Sequence, residues 1–375
     1  MQFDPIIDRK STYAFKWEKY KGTNILPMWI ADTEFKCAQP ILDALQARTE
    51  HGLLGYTVPA HHAEANQAVV DWLSRQYDWD ISADWIVWTS GVVPAFNIAC
   101  QAYCQAGDKI MLQTPNYPPL LAAPEINGLE RVDIGTVNVN GRWTIDFAEL
   151  EKQAADPACK LFIVCNPMNP VGSMFSPEEL QKVTDICLKN NVILCSDEIH
   201  CDLILDEDAK HIPAGKIAEF NGQVITLMAA SKTFNIAGMG TSFAIIEDPK
   251  TRLEFNKAAR GIMPWVTVLG LEATTAAFTL CDQWHAELKQ YLRANLDYLE
   301  KEIATIDGLT LLRPQATFLA WIDCSGLGVD NPQKYFEDKG VGPSPGIDFG
   351  DKNFVRINFG CPRSQLEQAI SLLKA

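Results

Sequence analysis

The chain has 375 residues, of which 47% are hydrophobic and 21% charged, so it is long enough for a large core in one or two domains. These proportions are typical of globular proteins and exclude an intrinsically disordered chain. A formal net charge of −15 argues against nucleic acid and anionic membranes as partners, and any bound anion must therefore meet a local cluster of donors.

Eleven cysteines are present, most of them in apolar stretches where a thiol behaves as a small hydrophobic group. There is no Cys-x-x-Cys pair, so neither a zinc site nor a thioredoxin-like redox site is indicated, and we expect no metal. The N-terminal sequence MQFDPIIDRK has no basic segment followed by an apolar core. No stretch approaches the ~18 apolar residues of a membrane span. These features favour a cytoplasmic protein with reduced cysteines.

Apolar runs alternate with amphipathic ones through the middle of the chain. A capping box formed by Ser176 and Glu179, with Pro177 as the first helical residue, marks the start of one helix. Short apolar strands separated by helices predict a mostly parallel sheet that is buried on both faces. The predicted strands are 85–88, 109–113, 160–165, 192–198 and 224–230, and the predicted helices are 94–104 and 176–190.

The last hundred residues have a different pattern. A long helix from about 284 to 306 leads to strands at 317–323 and 354–360 and a final helix at 363–374. We therefore expect an α/β protein with a large domain over residues 45–280. A smaller α+β domain would combine residues 1–44 with 281–375, because the N-terminal segment is loop-like and rich in Trp and Pro.

Open α/β sheets bind ligands at the carboxyl ends of their strands, so polar residues there are the most informative. After the first predicted strand, Gly91 allows a tight turn, and the amides of Gly91, Val92 and Val93 would face an anion at a helix N-terminus. After strand 160–165, two Asn-Pro steps hold Asn169 at the sheet edge, where its amide could donate to a phenolate. Each pattern also fits an ordinary turn.

Two further strand ends carry ionisable residues. Asp197 would be a costly buried carboxylate unless it met a cation such as a pyridinium, although it could instead cap a helix. Lys232 follows an apolar run, so it either reaches solvent or becomes a neutral amine able to form a Schiff base with an aldehyde. Ser231 adds a hydroxyl suited to phosphate. His200 alone is more often structural than catalytic.

The order and spacing of these positions resemble the fold-type I pyridoxal 5′-phosphate (PLP) enzymes of the aspartate-aminotransferase superfamily. The likeness covers almost the whole chain and is most specific to the PatB/MalY-type cystathionine β-lyases. His200, where aminotransferases usually have Tyr, and Gly240, where many have Arg, favour the lyase branch. The segments that carry the resemblance are LPMWIADTEF, HGLLGYT, GVVPAF, TPNYPPL, CNPMNPVG, SDEIHCDL, SKTFNIAG, TFLAWID and VRINFGCPR.

Two positions depart from the branch pattern. Met168 replaces the usual His of CNPHNPVG, which leaves the substrate preference open because Asn169 is adjacent. Thr33 and Glu34 stand in ADTEF where the branch reads ADMDF.

The resemblance implies a role for each matching residue. Lys232 would carry PLP as a Schiff base and act as the catalytic base. Tyr56 would reach across a dimer interface to the phosphate and the catalytic centre, although Tyr56 and Tyr117 could each be core aromatics instead. Arg356 would bind the substrate carboxylate. The remaining cofactor contacts would be Asp197 at the ring nitrogen, Asn169 at the phenolate oxygen, His200 near that oxygen, Tyr117 stacked on the ring, and Gly91, Val92, Val93 and Ser231 at the phosphate.

The resemblance implies a homodimeric carbon–sulfur β-lyase that converts L-cystathionine or a related S-substituted L-cysteine to a thiol, pyruvate and ammonia, as in methionine biosynthesis. Two alternatives remain open at this point. An aminotransferase would share the early chemistry but need a keto-acid acceptor. A PLP-binding regulatory protein would act through its surface, although intact Lys232, Asp197 and Arg356 argue against a degenerate site.

Overall fold

A computed structural model describes residues 2–217 and 222–375. Its main feature is an eight-stranded sheet of order β2-β9-β8-β7-β6-β3-β4-β5. The central pairs β8–β7, β7–β6, β6–β3 and β3–β4 are parallel, whereas β2, β9 and β5 pair antiparallel at the margins. The predicted mostly parallel sheet is confirmed. The strands are β2 (Ile86–Thr89), β3 (Lys109–Thr114), β4 (Glu130–Val139), β5 (Arg142–Ile145), β6 (Cys159–Cys165), β7 (Ile193–Asp197), β8 (Val224–Met228) and β9 (Ser242–Ile245).

The sheet is buried on both faces because successive side chains of its central strands enter different cores. Along β6, Leu161 and Ile163 join one apolar cluster, and Phe162 and Val164 join another. The first cluster lies under α4 (Val92–Tyr103), α5 (Pro118–Ile126) and α8 (Pro249–Ala259), and the second lies under α6 (Phe147–Ala154) and α7 (Pro177–Lys189).

Local signals set the ends of these helices. The Ser176–Glu179 capping box is present as predicted, with both reciprocal hydrogen bonds formed at the start of α7. Helix α4 begins at Val92, before the predicted position, with Gly91 as its N-cap residue. Its first amides therefore lie beside the carboxyl end of β2.

A four-stranded antiparallel sheet of order β10-β11-β14-β13 forms from the C-terminal part of the chain. It consists of β10 (Thr310–Leu311), β11 (Leu319–Asp323), β13 (Ser344–Pro345) and β14 (Phe354–Asn358), and its core includes residues of α10 (Asp282–Ile303) and α12 (Arg363–Lys374). The two-residue strand β1 (Leu26–Pro27) pairs with β12 (Val341–Gly342), so the N-terminal segment contacts this part of the molecule. The domain boundaries themselves stay a prediction. The other helices are α1 (Phe15–Glu18), α2 (Gln39–His51), α3 (Ala63–Tyr77), α9 (Val268–Leu280) and α11 (Pro332–Asp338).

All eleven cysteines are free, and nine of them are buried. Among residues 2–217 and 222–375, no helix combines the length and apolar character needed to cross a bilayer. Over the same ranges, no group of His, Cys, Asp and Glu side chains is arranged to hold a metal ion.

Candidate active site

The polar residues selected from the sequence meet at one edge of the large sheet. Asp197 is the last residue of β7, Asn169 follows β6, and Lys232 follows β8. Because these neighbouring strands run parallel, their carboxyl ends lie side by side. A cavity of about 610 Å³ opens there. Every predicted site residue except Tyr56 lines it: Gly91, Val92, Val93, Tyr117, Asn169, Asp197, His200, Ser231, Lys232 and Arg356.

Tyr56 lies elsewhere on this single chain. Its side chain is 99% exposed, so it is not a core aromatic. Its ring and that of Trp265 are perpendicular, with 6.2 Å between their centroids. The predicted contact across a dimer interface concerns a second copy of the chain and stays a prediction.

Lys232 is held as a half-buried amine. Its Nζ donates a hydrogen bond of 2.7 Å to the carbonyl oxygen of Ala31. Burial, followed by repulsion from the Arg356 guanidinium, lowers the Lys232 pKa to about 8. The amine can therefore shed its proton close to neutral pH, as a nucleophile or base requires.

Asp197 is also buried, and burial raises the pKa of its carboxyl group to about 7. Its Oδ1 accepts a 3.2 Å hydrogen bond from the amide of Ile199. Burial and the nearby cations Lys232 and Arg356 lower the His200 pKa to about 3, so this imidazole is neutral. Its Nδ1 is buried and has no hydrogen-bond partner among the described residues.

Arg356, on β14, brings a guanidinium into the same cavity. Its Nη1 donates to Asn169 Oδ1 at 2.8 Å, and its Nη2 donates to Trp29 O at 2.8 Å and to Ser344 Oγ at 3.2 Å. The guanidinium lies 4.6 Å from the centroid of the Phe349 ring. Burial lowers the Arg356 pKa to about 10, yet the side chain stays charged at neutral pH.

Ser90 and Thr241 are among the hydroxyl-bearing residues that line the cavity although the sequence reasoning did not select them. Ser90 precedes the predicted anion-binding turn, and Thr241 follows Gly240. Their nearness to these positions is the one sequence signal that could have indicated that they line the cavity. Gly240 has φ +57°, a left-handed backbone that suits glycine. The residue type that stands in place of the aminotransferase arginine therefore fits the local backbone.

A segment that we call the N-terminal strap, residues 29–35, covers one side of the cavity. Besides the contacts of its Trp29 and Ala31 carbonyls, Asn358 Nδ2 donates at 2.6 Å to the carbonyls of Ile30 and Asp32. Sequence reasoning used this segment only as part of the family resemblance and gave it no role in the site, because its contacts are made by main-chain carbonyls, which leave no mark on residue type.

The two departures from the branch pattern have different surroundings. Met168 is 1% exposed and belongs to the apolar core beneath the sheet edge, outside the residues that line the cavity. Glu34, near the end of the strap, forms an ion pair of 2.8 Å with the buried Lys16 and one of 3.1 Å with Arg9. Glu34 therefore contributes to holding the strap, whereas Met168 contributes to the core.

Comparison with known proteins identifies the family and the fold to which this site belongs. A family model described as aminotransferase class I and II matches residues 31–373. Cystathionine beta-lyase PatB of Bacillus subtilis is 34% identical over 387 residues, which cover 100% of this chain and 99% of the relative.

Two solved structures have the same fold over nearly their whole length. The structure of OvoB has a TM-score of 0.96 and 39% identity, and the match covers 100% of this chain and 98% of that chain. Cystalysin from Treponema denticola, which contains a pyridoxal 5′-phosphate cofactor, has a TM-score of 0.93 and 33% identity, with 99% and 97% covered. These matches confirm the fold type predicted from the sequence.

Proposed function

This chain belongs to the aminotransferase class I and II family, and from that premise we propose that it is a PLP-dependent carbon–sulfur β-lyase. Its substrate would be L-cystathionine or a related S-substituted L-cysteine, cleaved to a thiol, pyruvate and ammonia. One observation carries the proposal: a single cavity brings together Lys232, Asp197 and Arg356 in a chain that aligns end to end with a cystathionine beta-lyase.

The lining of the cavity fits the cofactor. Asp197 is a buried carboxylate with no cationic hydrogen-bond partner among the described residues, so a protonated ring nitrogen would give it one. Asn169 uses its Oδ1 to accept from Arg356, which leaves its Nδ2 to donate to a phenolate oxygen. The half-buried ring of Tyr117 would stack on the cofactor ring.

The opposite end of the cofactor would meet donors for phosphate. The amides of Gly91, Val92 and Val93 stand at the N-terminus of α4, and the Ser231 hydroxyl lines the same cavity. Pyridoxal phosphate, when bound, supplies an electron sink for the electron pair left at the substrate α-carbon.

The residues of the chain would then position the substrate and move its proton. Arg356 would bind the substrate carboxylate through its planar fork of N–H groups. The Lys232 amine would take the α-proton, and its lowered pKa keeps a useful fraction unprotonated near pH 7. The Ala31 carbonyl accepts from the Lys232 amine when that amine is free.

Atoms balance over the whole reaction. The substrate loses its α-proton and its β-thiolate, which departs as the thiol once protonated. The remaining three-carbon unit takes up one water, and pyruvate and ammonia are released.

The test is a product assay on purified, PLP-loaded protein with L-cystathionine and no keto acid. We expect pyruvate and thiol in equal amounts, and loss of both in Lys232→Ala. Lys216→Ala, which removes an exposed ion pair with Asp78, is the matched control and should retain activity. Borohydride reduction followed by peptide mass analysis should find the cofactor on the peptide that contains Lys232.

The family also includes aminotransferases, and the same assay separates the two functions. If no pyruvate forms without a keto acid, but amino transfer starts when 2-oxoglutarate is added, the protein is an aminotransferase and the lyase proposal is wrong.

A further inference from the structure

The cavity has two charged residues for which the proposed chemistry has no use. Lys19 and Asp348 line it together with Phe15, Trp29 and Gln333. Within the described part of the chain, the side chains of Lys19 and Asp348 form neither an ion pair nor a hydrogen bond. They are therefore available to a ligand.

The Lys19 ammonium has a defined position although the residue is exposed. Its Nζ lies 4.8 Å from the centroid of the Trp29 ring and 4.9 Å from that of Tyr20. The Trp29 indole is fixed by a 2.9 Å hydrogen bond from its Nε1 to the carbonyl of Lys16, and Tyr20 is fixed by a 2.7 Å hydrogen bond to Glu337. The Lys19 ammonium is thus positioned by two aromatic rings, and each ring is held by its own hydrogen bond.

The substrate's own layout indicates what this cation meets. Its carboxylate and α-carbon are engaged by Arg356 and Lys232, so a substituent on sulfur must extend towards lining residues that those groups leave free. A lysine and an aspartate there match a carboxylate and an ammonium. The whole chain has a net charge of −15, which repels anions. An ammonium without an ion-pair partner at the cavity would therefore attract an anionic group locally.

We propose that Lys19 is a specificity-determining residue that binds a carboxylate on the departing thiol, with Asp348 facing the ammonium of the same group. The preferred substrate is then a thioether in which the departing thiol is itself an α-amino acid. This inference rests on the proposed function and names the substrate class for that same site.

The experiment compares two substrates of similar length. L-Cystathionine carries the charged distal end, whereas S-propyl-L-cysteine lacks it. For Lys19→Met we expect KM for L-cystathionine to rise about fivefold with kcat little changed, as for one exposed charge pair, and no change for S-propyl-L-cysteine. Asp348→Asn should act in the same direction. Lys21→Met is the matched control, because Lys21 pairs with Glu18 outside the cavity.

Salt supplies a readout that a merely structural role would not move. Raising the ionic strength from about 0.05 M to about 0.5 M should reduce the wild-type preference for L-cystathionine and leave Lys19→Met unaffected. Calorimetric titration in a Lys232→Ala background should show the same selective loss of L-cystathionine binding when Lys19→Met is added.

Each outcome decides a different question. If Lys19→Met changes both substrates equally, or neither, the specificity role of Lys19 is wrong while the lyase function stands. If the wild-type protein releases pyruvate from neither substrate, the proposed function fails, and the inference fails with it.

Discussion

Asp197 and Lys232 show how burial, as the largest cause, can prepare a pair of reactive groups. Removal from water disfavours the charged form of each, so the carboxyl pKa rises to about 7 and the ammonium pKa falls to about 8. Without a ligand this arrangement costs stability, because the cavity holds ionisable groups with incomplete partners. A cofactor that brought a ring cation to Asp197 would relieve part of that cost.

The stability of the cofactor-free protein should therefore depend on Asp197 and on pH. The folded-state pKa of Asp197 is above its ordinary value of 3.8, so its stabilising contribution is fully present below pH ~4 and is lost as the pH rises through about 7. Asp197→Asn should then stabilise the cofactor-free protein at pH 8 by roughly 2–4 kcal/mol and have little effect at pH 4. Urea unfolding at the two pH values measures both. An equal effect at both would show that the carboxyl charge is not the cause.

Arg356 illustrates why a basic residue of a different shape would not serve. Its two terminal nitrogens reach Asn169, Trp29 and Ser344 at once, and a lysine has a single nitrogen. We expect Arg356→Lys to lower kcat/KM roughly 30- to 100-fold, mainly through KM. Steady-state kinetics with L-cystathionine tests this. Arg363→Lys, which changes a guanidinium bound to Asn295, should leave kcat/KM near the wild-type value.

At the scale of elements, the N-terminal strap (residues 29–35) is the part of the site that local sequence describes least. It lies far in sequence from the residues that it contacts: Lys232 donates to the Ala31 carbonyl across 201 positions, and Arg356 donates to the Trp29 carbonyl across 327. Lys16 holds the strap in place: it is 1% exposed and forms an ion pair with Glu34 of the strap. A substitution of Lys16 should therefore alter the positions of the strap carbonyls that contact Lys232 and Arg356.

Lys16→Met tests the strap. Removing one partner leaves Glu34 buried with only Arg9 as its cation, so we expect a loss of about 3 kcal/mol in the free energy of unfolding. Because the strap carbonyls contact Lys232 and Arg356, KM should also rise. Lys21→Met, which breaks an exposed pair, should cost less than about 1 kcal/mol. The double variant Lys16→Met/Glu34→Gln should recover part of the stability, and a further loss instead would contradict a buried-charge origin.

The same contrast explains how much could be predicted from the sequence. The central strands, α7 with its capping box and the residues at strand ends follow from local pattern, and the structure has them at or near the expected positions. The arrangement of the strands at the margins of the large sheet could not be predicted from local pattern. Strand β9 pairs antiparallel between β2 and β8, an order that depends on contacts across the fold and not on any local signal. The role of Met168 could not be predicted either. Its position next to Asn169 suggested an influence on the substrate, but its side chain lies in the apolar core and does not line the cavity.

At the scale of the whole molecule, two segments expose apolar side chains next to each other. Leu53, Leu54 and Tyr56 follow α2 and are 69%, 53% and 99% exposed, and Ile262 and Trp265, before α9, are 63% and 59% exposed. The Tyr56–Trp265 ring contact joins the two segments. Clustered exposed apolar side chains are typical of interaction surfaces. A second copy of the chain is the partner that the predicted homodimer requires.

We therefore expect the protein to sediment at twice its 41.7 kDa chain mass. Leu54→Arg would put a charge into the interface, and it should shift the protein to monomers with loss of activity. Tyr13→Phe, at another exposed tyrosine, is the control and should change neither. A wild-type monomer that is fully active would contradict the shared site.

The sharpest test of the shared site mixes two variants that are each inactive, Tyr56→Ala and Lys232→Ala. In a hybrid dimer, the chain that keeps Lys232 faces the chain that keeps Tyr56, so one of its two sites is complete if Tyr56 acts across the interface. Random exchange of subunits should then restore about a quarter of the wild-type activity. If Tyr56 acted within its own chain, neither site of the hybrid would contain both residues. No activity would return, and the exposed position of Tyr56 would need another explanation.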